Sequence, residues 1–264
     1  MSRIRYDLVF GLGFACSCSE SLRAAKLQLL SFPYDWITPT PGVECSHELL
    51  DRVREIEDEF SQWLMPGDLE FAHGNEATRK DVYVSRRLKY TFNHDFPQGV
   101  SYDEMFPSVR AKYRRRAERL IGLLRTSRRV LIVRIDRPDL PVATEIADCL
   151  QSVRVLERKF PGTRFDFLQV SCEAGVTELR EETFGDCVTR WWLDYRDLRP
   201  GVENWRVDIP LMGRLLRARF AVRDYRTRDE RKAFDAARRA KRYAKLGAHS
   251  FLGYQLRRLF SFWG

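Results

Sequence analysis

The fold is predicted most clearly by the stretch Arg129-Val130-Leu131-Ile132-Val133-Arg134-Ile135, a mainly apolar run of strand length. Residues 141–160 follow with apolar side chains at helical spacing, and residues 165–170 form a second apolar run. A strand, a crossover helix and a second strand of these lengths make a βαβ unit, in which the two strands are parallel. We therefore predict an α/β fold: a three-layer sandwich with a mostly parallel sheet, followed by C-terminal helices.

The sequence on both sides of this unit predicts further strands and helices. An apolar run at residues 6–10 ends in Gly11-Leu12-Gly13, which indicates a buried strand leading into a tight turn. Residues 82–92 suit a pair of strands, and residues 190–195 suit another strand. Helices are predicted from periodic apolar residues at 19–27, 49–64, 107–124, 228–243 and 251–262.

The net charge of +9 is concentrated at the C-terminus. Residues 226–264 contain eleven Lys/Arg and three Asp/Glu, a net of +8, so that residues 1–225 are nearly neutral. We expect an α/β domain over residues 1–225 and a basic amphipathic helical tail over residues 226–264. Such a tail suits an anionic membrane surface. A nucleic-acid partner is not expected, because the domain itself is not basic.

Composition indicates a globular protein of the cytoplasm, with the tail reaching the inner membrane surface. Apolar residues make up 44 % of the chain, yet no run of about 18 apolar residues could span a bilayer. The N-terminal residues contain no apolar signal-peptide run. The six cysteines form no C-x-x-C pair, so we expect reduced thiols and neither a metal nor a cofactor.

Cys16 is the cysteine whose position in the sequence favours a catalytic role. It follows Gly11-Leu12-Gly13-Phe14-Ala15, between the first predicted strand and the first helix. Such a loop opens toward a crevice at the carboxyl end of a parallel strand. Helix N-terminal amides stabilise both a thiolate and a substrate oxyanion, and glycines permit a close approach of backbone to ligand.

Two other interpretations of this loop stay open. Cys16 suits a small buried residue at a tight turn. The spacing of Gly11, Gly13 and Cys16 also imitates the G-x-G-x-x-G dinucleotide fingerprint, with the third glycine replaced. The acidic residue expected about 20 positions later is Asp35, but its neighbours Pro33 and Trp36 do not suit the end of a second strand.

Several motifs in the first 175 residues occur in the order of one family. After the cysteine loop come Leu22-Arg23, then Ser31-Phe32-Pro33-Tyr34-Asp35-Trp36-Ile37, Phe92-Asn93-His94-Asp95-Phe96, an arginine-rich helix and a strand that ends in arginine. In these motifs the chain resembles the putative papain-like cysteine peptidase family, a bacterial domain of unknown function. Gly11 replaces the family's serine and Tyr34 its phenylalanine, and nothing after about residue 195 matches.

The resemblance implies that Cys16 is the nucleophile and His94 the base that activates it. A third group should orient the imidazole, and Asp95, Asp136 and Asp35 are the candidates. Asp95 is awkward, because neighbours on a strand point to opposite faces. For substrate binding we single out the following residues: Gly11, Gly13, Ser17, Asp35 and Trp36.

These residues predict a cysteine-nucleophile hydrolase or acyltransferase. Its substrate would be a peptide, ester or thioester, including an acylated glycan in bacterial surface-polysaccharide biosynthesis. The alternative hypotheses are a non-catalytic module that binds phosphate or a nucleotide-sugar through the loop, and a membrane-peripheral scaffold whose function lies in the tail.

Overall fold

A computed structural model describes residues 2–40, 48–139 and 144–246. The chain divides into two compact units, Met1–Arg223 and Asp224–Gly264. The boundary expected at residue 225, with a functional tail behind it, stays a prediction.

The first unit contains both strands and helices. The strands are β1 (Ile4–Tyr6), β2 (Leu8–Gly11), β3 (Ile37–Pro39), β4 (Glu70–Asn75), β5 (Lys80–Ser85), β6 (Tyr90–Pro97), β7 (Arg129–Ile135), β8 (Arg164–Cys172), β9 (Arg180–Phe184), β10 (Val188–Leu193) and β11 (Phe220–Val222). The helices are α1 (Cys16–Ala24), α2 (Glu48–Glu57), α3 (Tyr102–Thr126), α4 (Ile146–Lys159) and α5 (Ile209–Arg219), with a short 3-10 helix at Pro33–Trp36.

The strands form one mixed sheet, one antiparallel sheet and a two-stranded pair. The mixed sheet has the order β2-β7-β8-β10-β9, in which β9 is antiparallel to its neighbour and the other contacts are parallel. The second sheet, β3-β6-β5-β4, is entirely antiparallel because short turns join β4, β5 and β6. The mixed α/β class is confirmed. The expected mostly parallel sheet is corrected to mixed and antiparallel sheets, and the three-layer arrangement stays a prediction.

The βαβ unit predicted from residues 129–170 is present. The parallel strands β7 and β8 pair from Arg129–Arg164 to Ile135–Val170, and α4 connects them. A core forms where side chains of the mixed sheet pack against α1 and α5. The sheet contributes Val9, Val133, Leu168 and Trp191, and the two helices contribute Leu22, Met212 and Leu216. The carboxyl ends of the parallel strands β2, β7, β8 and β10 therefore lie at one edge of the sheet. The loop that leads to Cys16 begins at this edge, after β2.

Two helix boundaries differ from the sequence expectation for identifiable reasons. The second helix ends at Glu57 and not at residue 64, because Glu59 and Phe60 adopt left-handed backbone angles (φ 53° and 58°). The third helix begins at Tyr102 and not at Pro107, because the Ser101 hydroxyl caps it by accepting from the Glu104 N–H at 3.3 Å.

The second unit contains α6 (Arg228–Leu246). Its N-terminus is capped by Thr227, whose hydroxyl accepts from the Glu230 N–H at 3.2 Å. The expected helix at residues 251–262 lies outside the described residues. In the part of the chain that the structure describes, no helix has both the length and the apolar character needed to cross a membrane.

Candidate active site

Cys16 is the first residue of α1 and lies beyond the carboxyl end of β2. The preceding Ala15 is extended (φ −143°, ψ 174°), and the cysteine is partly exposed. Burial raises the pKa of the Cys16 thiol, and the nearby Glu20 carboxylate raises it further. The backbone N–H groups of Cys16 and Ser17 act on the sulfur in the opposite direction and lower this pKa. The free protein therefore holds a protonated thiol beside two amides that are suited to an oxyanion.

The glycines of the loop make room for the helix that follows them. A Cβ on Gly13 would lie 2.2 Å from Cys18 Cβ, and one on Gly11 would lie 3.0 Å from Cys18 Sγ. The Gly13 N–H is directed at the Cys18 sulfur, and burial raises the pKa of that thiol to about 12. Both glycines thus serve the packing of β2 against α1, and the close approach of a ligand to them stays a prediction. The side chain of Ser17 is also buried.

Two buried arginines hold the backbone of the cysteine loop. Arg134 in β7 donates to Leu12 O at 2.7 Å, and Arg52 in α2 donates to Gly13 O at 2.6 Å. The Glu48 carboxylate joins the two arginines, since it accepts from Arg134 at 2.6 Å and forms an ion pair with Arg52. This buried Arg–Glu–Arg cluster, formed by residues 134, 48 and 52, fixes two successive carbonyls shortly before Cys16.

The Glu48 carboxylate is shared by the two positive charges of the Arg–Glu–Arg cluster. Burial alone raises the pKa of the Glu48 carboxyl, but the charges of Arg134 and Arg52 outweigh it and hold the pKa below its usual value. Sequence patterns singled out neither Glu48 nor Arg52. The available signal was an acidic and a basic residue at i, i+4 spacing among the apolar positions of α2, a pattern that suits a buried pair.

His94 lies on a bulge of β6. Between two consecutive paired positions, β5 has one residue whereas β6 has three, Asn93, His94 and Asp95. The bulge leaves His94 exposed and Asp95 buried, as bulges near functional sites often re-aim side chains. The His94 ring meets the Trp36 ring edge-to-face, with centroids 5.8 Å apart. Loss of hydration lowers the pKa of His94, although Asp95 and Glu20 act to raise it, so the imidazole is neutral at pH 7.

Asp95, one candidate for orienting His94, is turned away from the imidazole. Its carboxylate forms an ion pair with Lys112 and accepts from the Tyr113 hydroxyl at 2.9 Å. Both partners belong to α3, so Asp95 attaches the bulged strand to that helix. The expectation that neighbours on a strand face opposite ways agrees with this arrangement.

Asp136, the second candidate, follows β7 and is also engaged in the interior. One carboxylate oxygen accepts from the Thr144 hydroxyl at 2.8 Å, and the other accepts from Gln169 at 2.6 Å and Ser171 at 3.2 Å. These bonds tie the end of β7 to β8 and to the residues before α4. The structure does not bring Asp136 to His94 through a hydrogen bond.

Asp35, the third candidate, is completely buried and directly precedes Trp36 in the chain. It accepts from the Phe32 N–H at 2.9 Å and from Arg23 at 3.2 Å. The Arg23 guanidinium lies over the Trp36 ring, 5.3 Å from its centroid. Asp35 therefore fixes α1 to the segment that carries Trp36, while Trp36 is the predicted substrate-binding residue that the structure places beside His94.

Glu20 is the carboxylate whose charge acts on both Cys16 and His94. It raises the pKa of both Cys16 and His94, so its charge lies within reach of each. Among the described residues, no hydrogen bond joins the Cys16 thiol directly to the His94 imidazole. No motif singled out Glu20, although its position four residues after Cys16 places both on one face of α1.

A partly exposed cysteine at a helix N-terminus, with a neutral histidine within reach of the same carboxylate, defines a candidate cysteine-nucleophile site. The chain belongs to the family described as "Putative papain-like cysteine peptidase", whose model matches residues 7–175. That range includes Cys16, His94 and the Arg–Glu–Arg cluster. No curated protein and no solved structure matches the chain. Within the described residues, no group of three His, Cys, Asp or Glu side chains is arranged to hold a metal ion.

Proposed function

We propose that the protein is a cysteine hydrolase or acyltransferase in which Cys16 attacks the carbonyl of a peptide, ester or thioester. The thiol proton passes to His94 as the sulfur–carbon bond forms, and the Cys16 and Ser17 amides stabilise the oxyanion. The imidazolium returns its proton to the leaving group, which leaves a thioester on Cys16. Water or an acceptor hydroxyl then cleaves that thioester with His94 again acting as base.

The observation that carries this proposal is the position of Cys16 at the N-terminus of α1, where the backbone N–H groups of Cys16 and Ser17 act to lower the pKa of its thiol. The raised pKa of the thiol and the lowered pKa of His94 favour a neutral pair at rest, in which the imidazole is free to accept a proton. Glu20 is our candidate for the third group, because a carboxylate near the imidazole stabilises the imidazolium that forms during attack.

Reaction with p-nitrophenyl acetate tests the proposal directly. We expect one acetyl group on Cys16 at neutral pH, detected by peptide mass spectrometry, and none there in Cys16→Ala. His94→Gln should slow the acetylation about 100-fold, the loss typical of a missing general base. Cys172→Ala is the control, since Cys172 is also partly exposed but is the last residue of β8 and does not begin a helix. Equal acetylation of Cys16 and Cys172, or a rate unchanged in His94→Gln, would contradict the proposal.

The charge distribution along the chain supports a more specific setting. A glycan that carries an acyl group on a membrane-bound intermediate would suit an acyltransferase with a basic tail, so we propose bacterial surface-polysaccharide biosynthesis as the context and the inner membrane surface as the place. The net charge of +8 over residues 226–264 supports attraction to anionic lipid. Binding of phosphate by the glycine loop has less support, because the Gly13 amide is directed at Cys18.

Vesicle flotation tests the membrane proposal with the full chain. We expect binding to vesicles that contain phosphatidylglycerol, no binding to pure phosphatidylcholine, and release at high salt. Binding should weaken strongly when four tail residues are changed to glutamine: Arg238, Arg239, Lys241 and Arg242. Equal flotation of this variant and the unchanged chain would contradict it.

A further inference from the structure

Glu55 in α2 binds two tyrosines from different parts of the chain. Its Oε2 atom accepts from the Tyr34 hydroxyl at 2.9 Å and from the Tyr90 hydroxyl at 3.0 Å. Both tyrosines are buried, and Glu55 itself is partly buried. Buried hydroxyls normally have such a partner, and these two bonds fix the polar ends of both rings. Glu55 therefore joins α2 to the two segments that contain the tyrosines.

Both segments lead to residues of the candidate site. Tyr34 lies in the short 3-10 helix, two residues before Trp36. Tyr90 is the first residue of β6, four residues before His94. The Trp36 and His94 rings contact each other, with centroids 5.8 Å apart. Glu55 thus binds both of the chain segments that bring this pair of rings together.

The same helix also binds the cysteine loop. Arg52, three residues before Glu55 in α2, donates to Gly13 O at 2.6 Å. Its guanidinium lies over the Tyr34 and Tyr90 rings, 5.2 and 5.3 Å from their centroids. From one helix, Arg52 therefore reaches the nucleophile side of the site and Glu55 reaches the base side.

The Tyr34 hydroxyl has one hydrogen and two acceptors within reach. Its oxygen lies 2.8 Å from Arg52 O and 2.9 Å from Glu55 Oε2. An ionised carboxylate attracts this hydrogen more strongly than a neutral carbonyl does. A protonated carboxyl can instead donate its own hydrogen to the Tyr34 oxygen, and Tyr34 then donates to Arg52 O. The charge of Glu55 therefore decides how Tyr34 is bonded.

Glu55 changes its charge near neutral pH. Burial raises the pKa of its carboxyl to about 7. Hydrogen bonds from Tyr34, Tyr90 and Trp63 act to lower this pKa, and the charge of Arg52 acts in the same direction. Glu55 also lies in the last turn of α2, where the helix dipole disfavours a negative charge. Other charged side chains line the surface cleft that Glu55 reaches: Asp51, which pairs with Arg54 and Lys89, Arg87, which pairs with Asp68, and Asp58.

We propose that Glu55 is a positioning residue of the candidate site, whose ionised carboxylate aligns Trp36 and His94 with the cysteine loop. This inference rests on the proposed function for its effect on the reaction, and it adds control of that site by pH. When Glu55 is protonated, the two tyrosines lose a charged acceptor. The rate of Cys16 acetylation should therefore rise as the pH passes the pKa of Glu55, at about 7. A separate rise at lower pH is expected from the deprotonation of His94.

The pH profile of acetylation by p-nitrophenyl acetate in the full chain tests this inference. Glu55→Gln keeps the size of the side chain and has no charge at any pH. It should match the unchanged chain at about pH 5.5 and be about tenfold slower at about pH 8.5, since small misplacements of reacting groups cost up to about 100-fold. A merely structural role would lower the rate by the same factor at both pH values, and that result would overturn the proposal.

The control is Glu57→Gln, which removes a carboxylate from the same end of α2. Glu57 pairs with Arg158 in α4 at 3.0 Å and has no hydrogen bond to either tyrosine. This variant should follow the pH profile of the unchanged chain. An equal loss of rate at high pH in Glu57→Gln and Glu55→Gln would overturn the role of Glu55.

The indole N–H resonances of Trp63 and Trp36 test the positioning without any acetylation. Trp63 packs against both tyrosines and reports the ionisation of Glu55, whereas Trp36 reports its transmission to the site. In His94→Gln, where the histidine no longer titrates, both resonances should shift with a midpoint at about pH 7. Neither should shift when Glu55→Gln is added. A shift of Trp63 alone, or of neither indole, would overturn the proposal. Both shifts together with a failed acetylation of the unchanged chain would refute the proposed function and leave the connection from Glu55 to Trp36 standing.

Discussion

The loop before Cys16 and the strand that carries His94 are held by different kinds of interaction. The loop is fixed by buried charges, since Arg134 and Arg52 bind successive carbonyls and Glu48 joins them. The strand reaches the site through a bulge, and the His94 ring is held by its edge-to-face contact with Trp36. The proposed nucleophile is thus placed by the core, whereas the proposed base lies at the surface.

This difference fits the separate requirements of an oxyanion site and of a general base. An oxyanion site works only if its amides are already in place, and buried interactions provide that preorganisation. A base that must approach both substrate and thiol tolerates a looser attachment, because catalytic hydrogen bonds often tighten only when substrate binds. The following variants test whether the cysteine side is the rigid one.

The largest effect is expected from Glu48→Gln. The change leaves two buried guanidinium groups without their shared carboxylate, so the free energy of unfolding should fall by about 3–5 kcal/mol. Urea denaturation measures this loss. The matched change on the other side, His94→Gln, should alter stability by less than about 0.5 kcal/mol, because His94 is exposed. Losses of similar size in the two variants would contradict the view that the cysteine side is the more rigid one.

A smaller effect is expected from Gly13→Ala. The new Cβ would lie 2.2 Å from Cys18 Cβ, so β2 and α1 must move apart at a cost of about 1–3 kcal/mol or more. Gly122→Ala is the control, because its Cβ meets nothing within 4 Å and alanine is the better helix residue there. Thermal unfolding should show a lower midpoint for Gly13→Ala and an equal or higher one for Gly122→Ala. The same midpoint in both variants would show that the packing of the loop is not tight.

Much of the fold was predictable because periodic apolar residues are a local signal. The strand at 129–135 and its parallel partner are confirmed, since both runs are short and apolar and a helix-length segment separates them. The direction of the other strands was not predictable in the same way. Whether β5 and β6 pair antiparallel depends on a four-residue turn, and the bulge at His94 depends on how Asp95 meets α3, a contact between distant residues.

Sequence motifs predict the proposed reacting groups of the candidate site, but not the residues that hold those groups in place. Motifs led to Cys16, His94 and Trp36. The His94 ring contacts the Trp36 ring, and the Glu20 carboxylate acts on the pKa of both Cys16 and His94. The three aspartates chosen for orientation are engaged by partners from other elements, and nothing in a linear motif shows such engagement. The Arg–Glu–Arg cluster was missed because a buried charge cannot be told from an exposed one without knowing which face of a helix packs inward.

The smallest effect, and the one that tests the link between the two sides, is expected from Glu20→Gln. Removal of the negative charge favours the Cys16 thiolate and disfavours the His94 imidazolium, so both pKa values should fall. Cys16 should then react about two- to fivefold faster with iodoacetamide at neutral pH, as expected for one partly screened charge. The NMR midpoint of His94 should move to lower pH in the same variant. Glu178→Gln, an exposed residue between β8 and β9, should change neither quantity. A faster Cys16 with an unmoved His94 would show that Glu20 serves the cysteine alone, so that the third group of the site must be sought elsewhere.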